Sequence, residues 1–362
     1  MPRSPSQRRA KTPARSAPSP APAATPVPGS PRTDAGWRRL FLGACLALGL
    51  VQAYVTVARY DPAKQSSGDE AHYLEMSRGL PLDQELRVYR WRVLTPLVVG
   101  SLPTLPAGLL GQYQVDAFKL ERARFAAWNL LGNLAAAWLL MLFMQALGLG
   151  VLQAGVGALL YFSSFQVATD GAGIMVDPWS YAALAACLLA GQRKRWILLG
   201  LAFGLGLFVK ETVVVAVPLL WLLRPKDGWT RWLWLLPGLA AYCWFRYGLY
   251  PGGEGASFSV EWVLNSLAQF KDLHLWLYLA EEFTLNFLWL APLAWLGWRD
   301  SAAFPGLRRM ALVLPLLAVV PLLVKSEFAR PWFNGYPIFI PLAVLGLWRL
   351  AGLRAAQAPA AV

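Results

Sequence analysis

Charged side chains are scarce. Only 15% of the 362 residues are Asp, Glu, Lys or Arg, where a soluble globular domain carries about 25%. With 57% hydrophobic residues and a mean hydropathy of +0.43, that scarcity excludes an ordinary soluble domain. Cysteine is nearly absent as well. Cys45, Cys187 and Cys243 fall in three separate apolar blocks without metal-ligand spacing, so they read as packing residues and reveal nothing of redox compartment. The only two histidines, His72 and His274, lie too far apart in sequence to suggest a zinc site.

What the chain does have is apolar sequence in blocks rather than at amphipathic spacing. A spanning helix needs about 20 apolar residues at a rise of about 1.5 Å each, and several blocks approach that length. Eighteen Trp residues suit the headgroup level, where Trp and Tyr gather. The pattern predicts an all-α, polytopic helical membrane protein. The net charge of +13 does not imply nucleic acid, because the basic residues cluster before Leu40 and in short loops between apolar blocks.

Residues 1–36, rich in Pro, Ala, Ser, Thr and Arg, bury too little to offset ordering and are expected to form a disordered cytoplasmic tail. They are too long and proline-rich for the front of a cleaved signal peptide. Trp37-Arg38-Arg39 opens the first span, about 40–57, and basic flanks stay cytoplasmic. Residues 93–110 are apolar but broken by Pro96, Pro103 and Pro106. If they do not cross, the later spans fall at about 124–146, 149–168, 177–191, 196–208, 212–223, 232–249, 283–298, 309–324 and 333–349. The clusters Arg193–Arg195, Arg224–Arg231, Arg299–Arg309 and Arg349/Arg354 then all lie inside. The expectation is therefore about ten transmembrane helices within a domain over 37–354, both termini cytoplasmic, with 355–362 a second tail. Residues 59–122 become one large external loop carrying interfacial helices.

The remaining charges then fall outside: Asp170 and Asp177, Lys210-Glu211, Glu254–Asp272, Glu281-Glu282, and Lys325, Glu327 and Arg330. Lys210-Glu211 divides an apolar stretch, 196–223. Either one tilted helix buries the pair, or two short helices meet at an outer cavity; the second keeps the basic loops inside. Charges at membrane depth are functional candidates.

The most polar stretch beside so much apolar sequence is 68–96, GDEAHYLEMSRGLPLDQELRVYRWRVLTP. Residues 69–79 can form a short amphipathic helix with Tyr73, Met76 and Leu80 toward one side. Asp69 and Glu70 supply carboxylates that can take a proton from a hydroxyl nucleophile. Arg90, Arg92, Lys210, Lys325 and Arg330 supply cations that can neutralise a phosphate leaving group. A lipid-linked phosphate presents its headgroup at that depth. Each residue has a plainer reading too. Asp69 and Glu70 can be solvated loop charges, Arg90 and Arg92 can snorkel to headgroups, and Asp177 before Pro178 can cap its helix. His72 can be a structural residue, Glu281-Glu282 a charged helix entrance, and Lys325 and Arg330 loop charges.

The first span followed by Asp69, Tyr73, Ser77, Gly79 and Pro81, then Tyr89, Arg90, Arg92, Leu94, Pro96 and Leu97, resembles the first external loop of GT-C glycosyltransferases. These are multi-spanning membrane enzymes that use polyprenyl-phosphate sugars, and the mannosyltransferases among them carry a similar loop. The block GLAFGLGLFVKETVVVAVPLL, residues 200–220, resembles their pair of short helices with a Lys at the outer turn. The resemblance covers 40–97 and 196–224. It implies transfer of a sugar from a polyprenyl-phosphate donor, with inversion, to a hydroxyl of a lipid, glycan or protein acceptor outside a bacterial cytoplasmic membrane. It implies Asp69, with Glu70 beside it, as the loop carboxylate that activates the acceptor hydroxyl as base or helps hold a metal ion, and Arg90, Arg92, Lys210 and Arg330 against the donor phosphate. His72, Tyr73, Asp177 and Glu211 would line the substrate pocket. No cofactor follows with certainty; a divalent metal at Asp69 is left open, because the chain lacks a second acidic residue two positions away.

Two other functions fit similar ingredients. A flippase or exporter of lipid-linked or anionic substrates also uses broken helices and membrane-level charges, but the chain has no internal repeat. A glycan ligase or polymerase would share the donor chemistry and carry a large late external loop, for which 250–282 is the candidate.

Overall fold

The computed structural model describes residues 31–58, 68–82, 89, 91–103, 117–249, 264, 267–317 and 332–353. Among these residues every regular element is helical and no strand occurs. Helix α1 (Pro31–Ala58) opens earlier than the composition predicts, inside the segment expected to be a tail. Asp34 stands in its first turn, where a carboxylate meets the positive end of the helix dipole. Two short helices follow, α2 (Gly68–Ser77) and α3 (Leu94–Ser101). Helix α3, eight residues long, is far too short by itself to cross a bilayer. Gly79, at φ +91°, turns the chain after α2 in a conformation that a side chain resists.

The body consists of α4 (Ala117–Ala146), α5 (Val151–Phe162), α6 (Phe165–Ala172), α7 (Asp177–Gln192) and α8 (Trp196–Val209). The stretch 149–168, expected as one span, is broken between α5 and α6, where Ser164 caps the second helix by accepting from the Val167 amide. After α8 a 3-10 turn, Glu211–Val215, leads into α9 (Ala216–Leu223). A second 3-10 turn, Trp229–Trp234, leads into α10 (Leu236–Cys243), which widens into a π-helical turn, Trp244–Leu249. Helices α11 (Leu273–Phe287), α12 (Leu290–Gly297), α13 (Pro305–Met310) and α14 (Tyr336–Leu350) complete the described chain. Asp272 caps α11 by accepting from the His274 amide at 2.9 Å.

Two segments, Asp34–Ala58 and Phe118–Ala146, are long and apolar enough to cross a membrane. The surfaces are unusual for a protein in water. On α8, Ile197, Leu201 and Leu205 follow each other at four-residue spacing and are 62%, 57% and 59% exposed, a hydrocarbon face looking outward. Leu40, Leu50 and Val51 of α1 are also exposed.

The helices run between two ends of different character. At one end Arg38 donates to Gln145 (2.6 Å) and Gln192 to the Ala146 carbonyl (3.1 Å). Arg224 donates to the Gln192 carbonyl (2.8 Å), and Arg309 to the carbonyls of Leu222 and Leu223 (2.8 and 3.1 Å). The Arg224 and Arg309 guanidinia satisfy backbone carbonyls left open where helices finish. At the other end lie α2, α3 and the starts of α4 and α7. The first end is basic; the second carries the buried carboxylates.

Helices α12 and α14 touch backbone to backbone. A Cβ on Gly297 would clash with the Leu342 carbonyl oxygen, and one on Gly346 with that of Leu293. Small residues let two helix backbones approach this closely. Gly346→Val is expected to force the helices apart at a cost of about 1–3 kcal/mol or more, because the obstacle is backbone and cannot rotate away. The check is the midpoint of thermal unfolding in detergent, where Gly346→Ala should fall between native and Val.

Candidate functional site: buried ion pairs beneath a tyrosine-bound aspartate

The candidate site starts with α2. Its inner face, Tyr73, Leu74 and Met76, packs with Val93, Val99, Phe125, Ile174 and Val209 into a small apolar cluster separate from the main core. That packing fixes which side of α2 faces the bundle. Asp69, one turn before Tyr73, remains half-buried, and its Oδ1 accepts the Tyr89 hydroxyl proton at 2.5 Å. The Tyr89 ring stacks on His72, centroids 4.3 Å apart, and meets the edge of Tyr73 at 5.4 Å. His72 therefore contributes a ring face.

Glu70 points the other way. It is 5% exposed, faces Arg122 of α4 at 3.2 Å, and accepts the Ile174 amide just before α7, also at 3.2 Å. A carboxylate held by a guanidinium and a backbone amide is a strut between three elements.

Arg92 and Lys210 arrive from distant segments and are 7% and 6% exposed. The Arg92 fork grips Glu211 with both arms, Nε donating to Oε2 at 3.0 Å and Nη2 to Oε1, and Nη1 donates to the Tyr73 hydroxyl at 2.9 Å. Burial alone would lower the Arg92 pKa. The Glu211 carboxylate and the Tyr73 hydroxyl outweigh it and hold the guanidinium well above its ordinary value. Burial pushes the Tyr73 hydroxyl upward, only partly opposed by Arg92, so it stays protonated. Lys210 lies in the break between α8 and the following 3-10 turn, with extended backbone, φ −162° and ψ 133°. Two short helices therefore meet there, as the loop charges predict. Its ammonium meets Asp177. Asp177 begins α7 without capping it; the residue before the helix is Val176, and the carboxylate turns inward to Lys210.

Of the residues singled out from sequence, Asp69, His72, Tyr73, Arg92, Asp177, Lys210 and Glu211 come to the same end of the bundle. Tyr73 senses the charges of Arg92, Asp177 and Asp69 together. The unexpected feature is that Arg92 and Lys210 each already face a carboxylate, two of them the very residues, Glu211 and Asp177, read as pocket lining. Arg90 and Arg330, with Lys325 and Glu254, lie outside the described residues. Glu282 accepts from the Tyr278 hydroxyl at 2.6 Å on α11 itself, a local pairing on the helix. Among the described residues no three His, Cys, Asp or Glu side chains gather to hold a metal ion. At Asp69, Oδ1 accepts from Tyr89, and the neighbouring Glu70 faces Arg122.

Three residues at this end escaped the sequence reading. Arg122 is the partner of Glu70. Arg246, in the π-helical turn, lies over the Trp91 ring at 3.7 Å. Tyr242, one helical turn earlier, is within electrostatic reach of Arg246, Glu211 and Arg92. A lone Arg near the end of an apolar block was the only available signal. No protein-family model, curated protein or solved structure matches this chain.

Proposed function

We propose that this chain is an integral membrane glycosyltransferase of GT-C type. It crosses the bilayer about ten times, with its basic end and both termini on the cytoplasmic side. It moves a sugar from a polyprenyl-phosphate donor to a hydroxyl on a lipid, glycan or protein at the outer face. The single observation supporting this reading is that Asp69 and the buried cations Arg92 and Lys210 share the end of the bundle opposite the basic loops. The acceptor hydroxyl loses its proton to Asp69 as its oxygen attacks the anomeric carbon. The bond to the phosphate oxygen breaks with its electron pair, and the polyprenyl phosphate leaves. Attack from the face opposite the leaving group inverts the sugar carbon. The positive side of the site stabilises the charge that develops on the phosphate.

Envelope glycolipids and glycoproteins from cells with and without the protein, compared by mass spectrometry, should differ by a fixed hexose- or pentose-sized increment. Purified protein in vesicles should release polyprenyl phosphate as it glycosylates an acceptor. Donor that crosses the vesicle without any covalent product would overturn the transferase reading in favour of transport.

A further inference from the structure

The cations at this end are not equivalent. Arg92 faces Glu211, Arg122 faces Glu70 and Lys210 faces Asp177. Among the described residues Arg246 faces no carboxylate. Its guanidinium lies between aromatic faces, 3.7 Å from the Trp91 centroid and 5.3 Å from that of Tyr247. Aromatic faces hold a cation without cancelling its charge. Its Nε is buried and has no acceptor, and the indole N–H of Trp91 is in the same condition; the buried Tyr242 hydroxyl lies against Arg246, whose guanidinium donates to its oxygen, and has no acceptor for its own proton. A buried donor left unsatisfied is costly and calls for an explanation.

These three donors belong together. Trp91 stacks under Arg246, and Tyr242 is within electrostatic reach of Arg246. Phe208 of α8 pins the segment by meeting Tyr242 at 5.8 Å and Phe245 at 5.4 Å, edge to face. Trp91 is joined directly to Arg92, so the donors lie beside the Arg92–Glu211 pair. The segment carrying Arg246 is a π-helical turn, Trp244–Leu249. Such a turn is a costly departure from the α-helix that recurs at functional sites. Trp244 and Tyr247 on it are 64% and 65% exposed, the residue types that lie at headgroup depth.

We propose that Arg246, with the Trp91 indole N–H and the Tyr242 hydroxyl, forms a phosphate-binding subsite. A guanidinium, an indole and a hydroxyl converging from two segments suit a tetrahedral oxyanion with several equivalent oxygens, and the guanidinium fork matches a phosphate in particular. Arg92 and Lys210, neutralised by their own carboxylates, shape the potential around it and do not have to release their partners. This assignment rests on the donor-phosphate reading above and moves the direct contact from the sequence-predicted arginines to Arg246.

The test uses the full chain in nanodiscs, with two probes, inorganic phosphate and a short isoprenyl phosphate. Native protein should bind the isoprenyl phosphate. Arg246→Gln should weaken binding about tenfold to a hundredfold, the size of losing one charge-assisted pair. Arg246→Lys should restore part of it, and Trp91→Phe, which keeps the ring but loses the donor, should weaken it several-fold. Thermal midpoints and gel-filtration profiles identify any variant that has merely unfolded, and Arg246→Lys serves where Arg246→Gln does. Unchanged binding in Arg246→Gln would overturn the subsite and leave the transferase reading standing, with Arg246 a snorkelling residue. Arg246-dependent binding of inorganic phosphate without the lipid would uphold the subsite and remove the lipid donor. Binding of neither probe would overturn both.

Discussion

Arg122→Met is expected to destabilise the protein by about 3–5 kcal/mol, because it leaves the Glu70 carboxylate buried without its guanidinium. Glu70 and Arg122 are both 5% exposed, so water cannot take over. Glu70→Gln should cost less. The amide has the carboxylate's shape and can still accept the Ile174 N–H, which lies 3.2 Å from Glu70 Oε1. The double variant Glu70→Gln/Arg122→Met should recover most of the loss, since removing both charges also removes their desolvation. Thermal unfolding of the four proteins in one detergent closes the cycle. An Arg122→Met protein as stable as native would refute the idea that this pair ties α2 to α4.

The architecture was legible wherever it follows from local sequence. Lys210 and Glu211 interrupt an apolar run, and the backbone does break there, with Lys210 in extended conformation between the two helices. Tyr73 and Met76 turn inward from α2 as their spacing predicts. The pairing of charges was not legible. Nothing in the sequence joins Glu70 to Arg122 or Asp177 to Lys210, since each pair is closed by packing of separate helices. Asp177 before Pro178 looks like a cap from sequence alone, and only the approach of α8 turns it inward. Arg246 was hidden for a similar reason. Among Trp244, Phe245 and Tyr247 it reads as a topological arginine, and its significance lies in having aromatic faces where the other cations have carboxylates. Residues Arg90, Lys325 and Arg330, prominent in the sequence, lie outside the described residues.

Asp69→Asn is expected to lower sugar transfer by about 10²–10⁴-fold, the range for removing a positioned general base, while donor binding changes little. Asparagine keeps the size of the side chain and an Oδ1 that can accept the Tyr89 hydroxyl, so α2 should hold its place; what it loses is the ability to take a proton. The contrast with Tyr89→Phe separates chemistry from positioning. Losing that hydroxyl removes the 2.5 Å bond that orients Asp69 but leaves the carboxylate, so turnover should fall by less than in Asp69→Asn. Its pH profile should shift, because an ionised carboxylate that loses a hydrogen-bond donor becomes a stronger base. The sign follows from that: the pKa of Asp69 rises, and the acid limb of the rate profile moves to higher pH. Single-turnover transfer from a polyprenyl-phosphate sugar, measured across pH for native, Asp69→Asn and Tyr89→Phe proteins, decides it. Transfer that survives Asp69→Asn undiminished would mean that the proton leaves by another route and that Asp69 only anchors the loop.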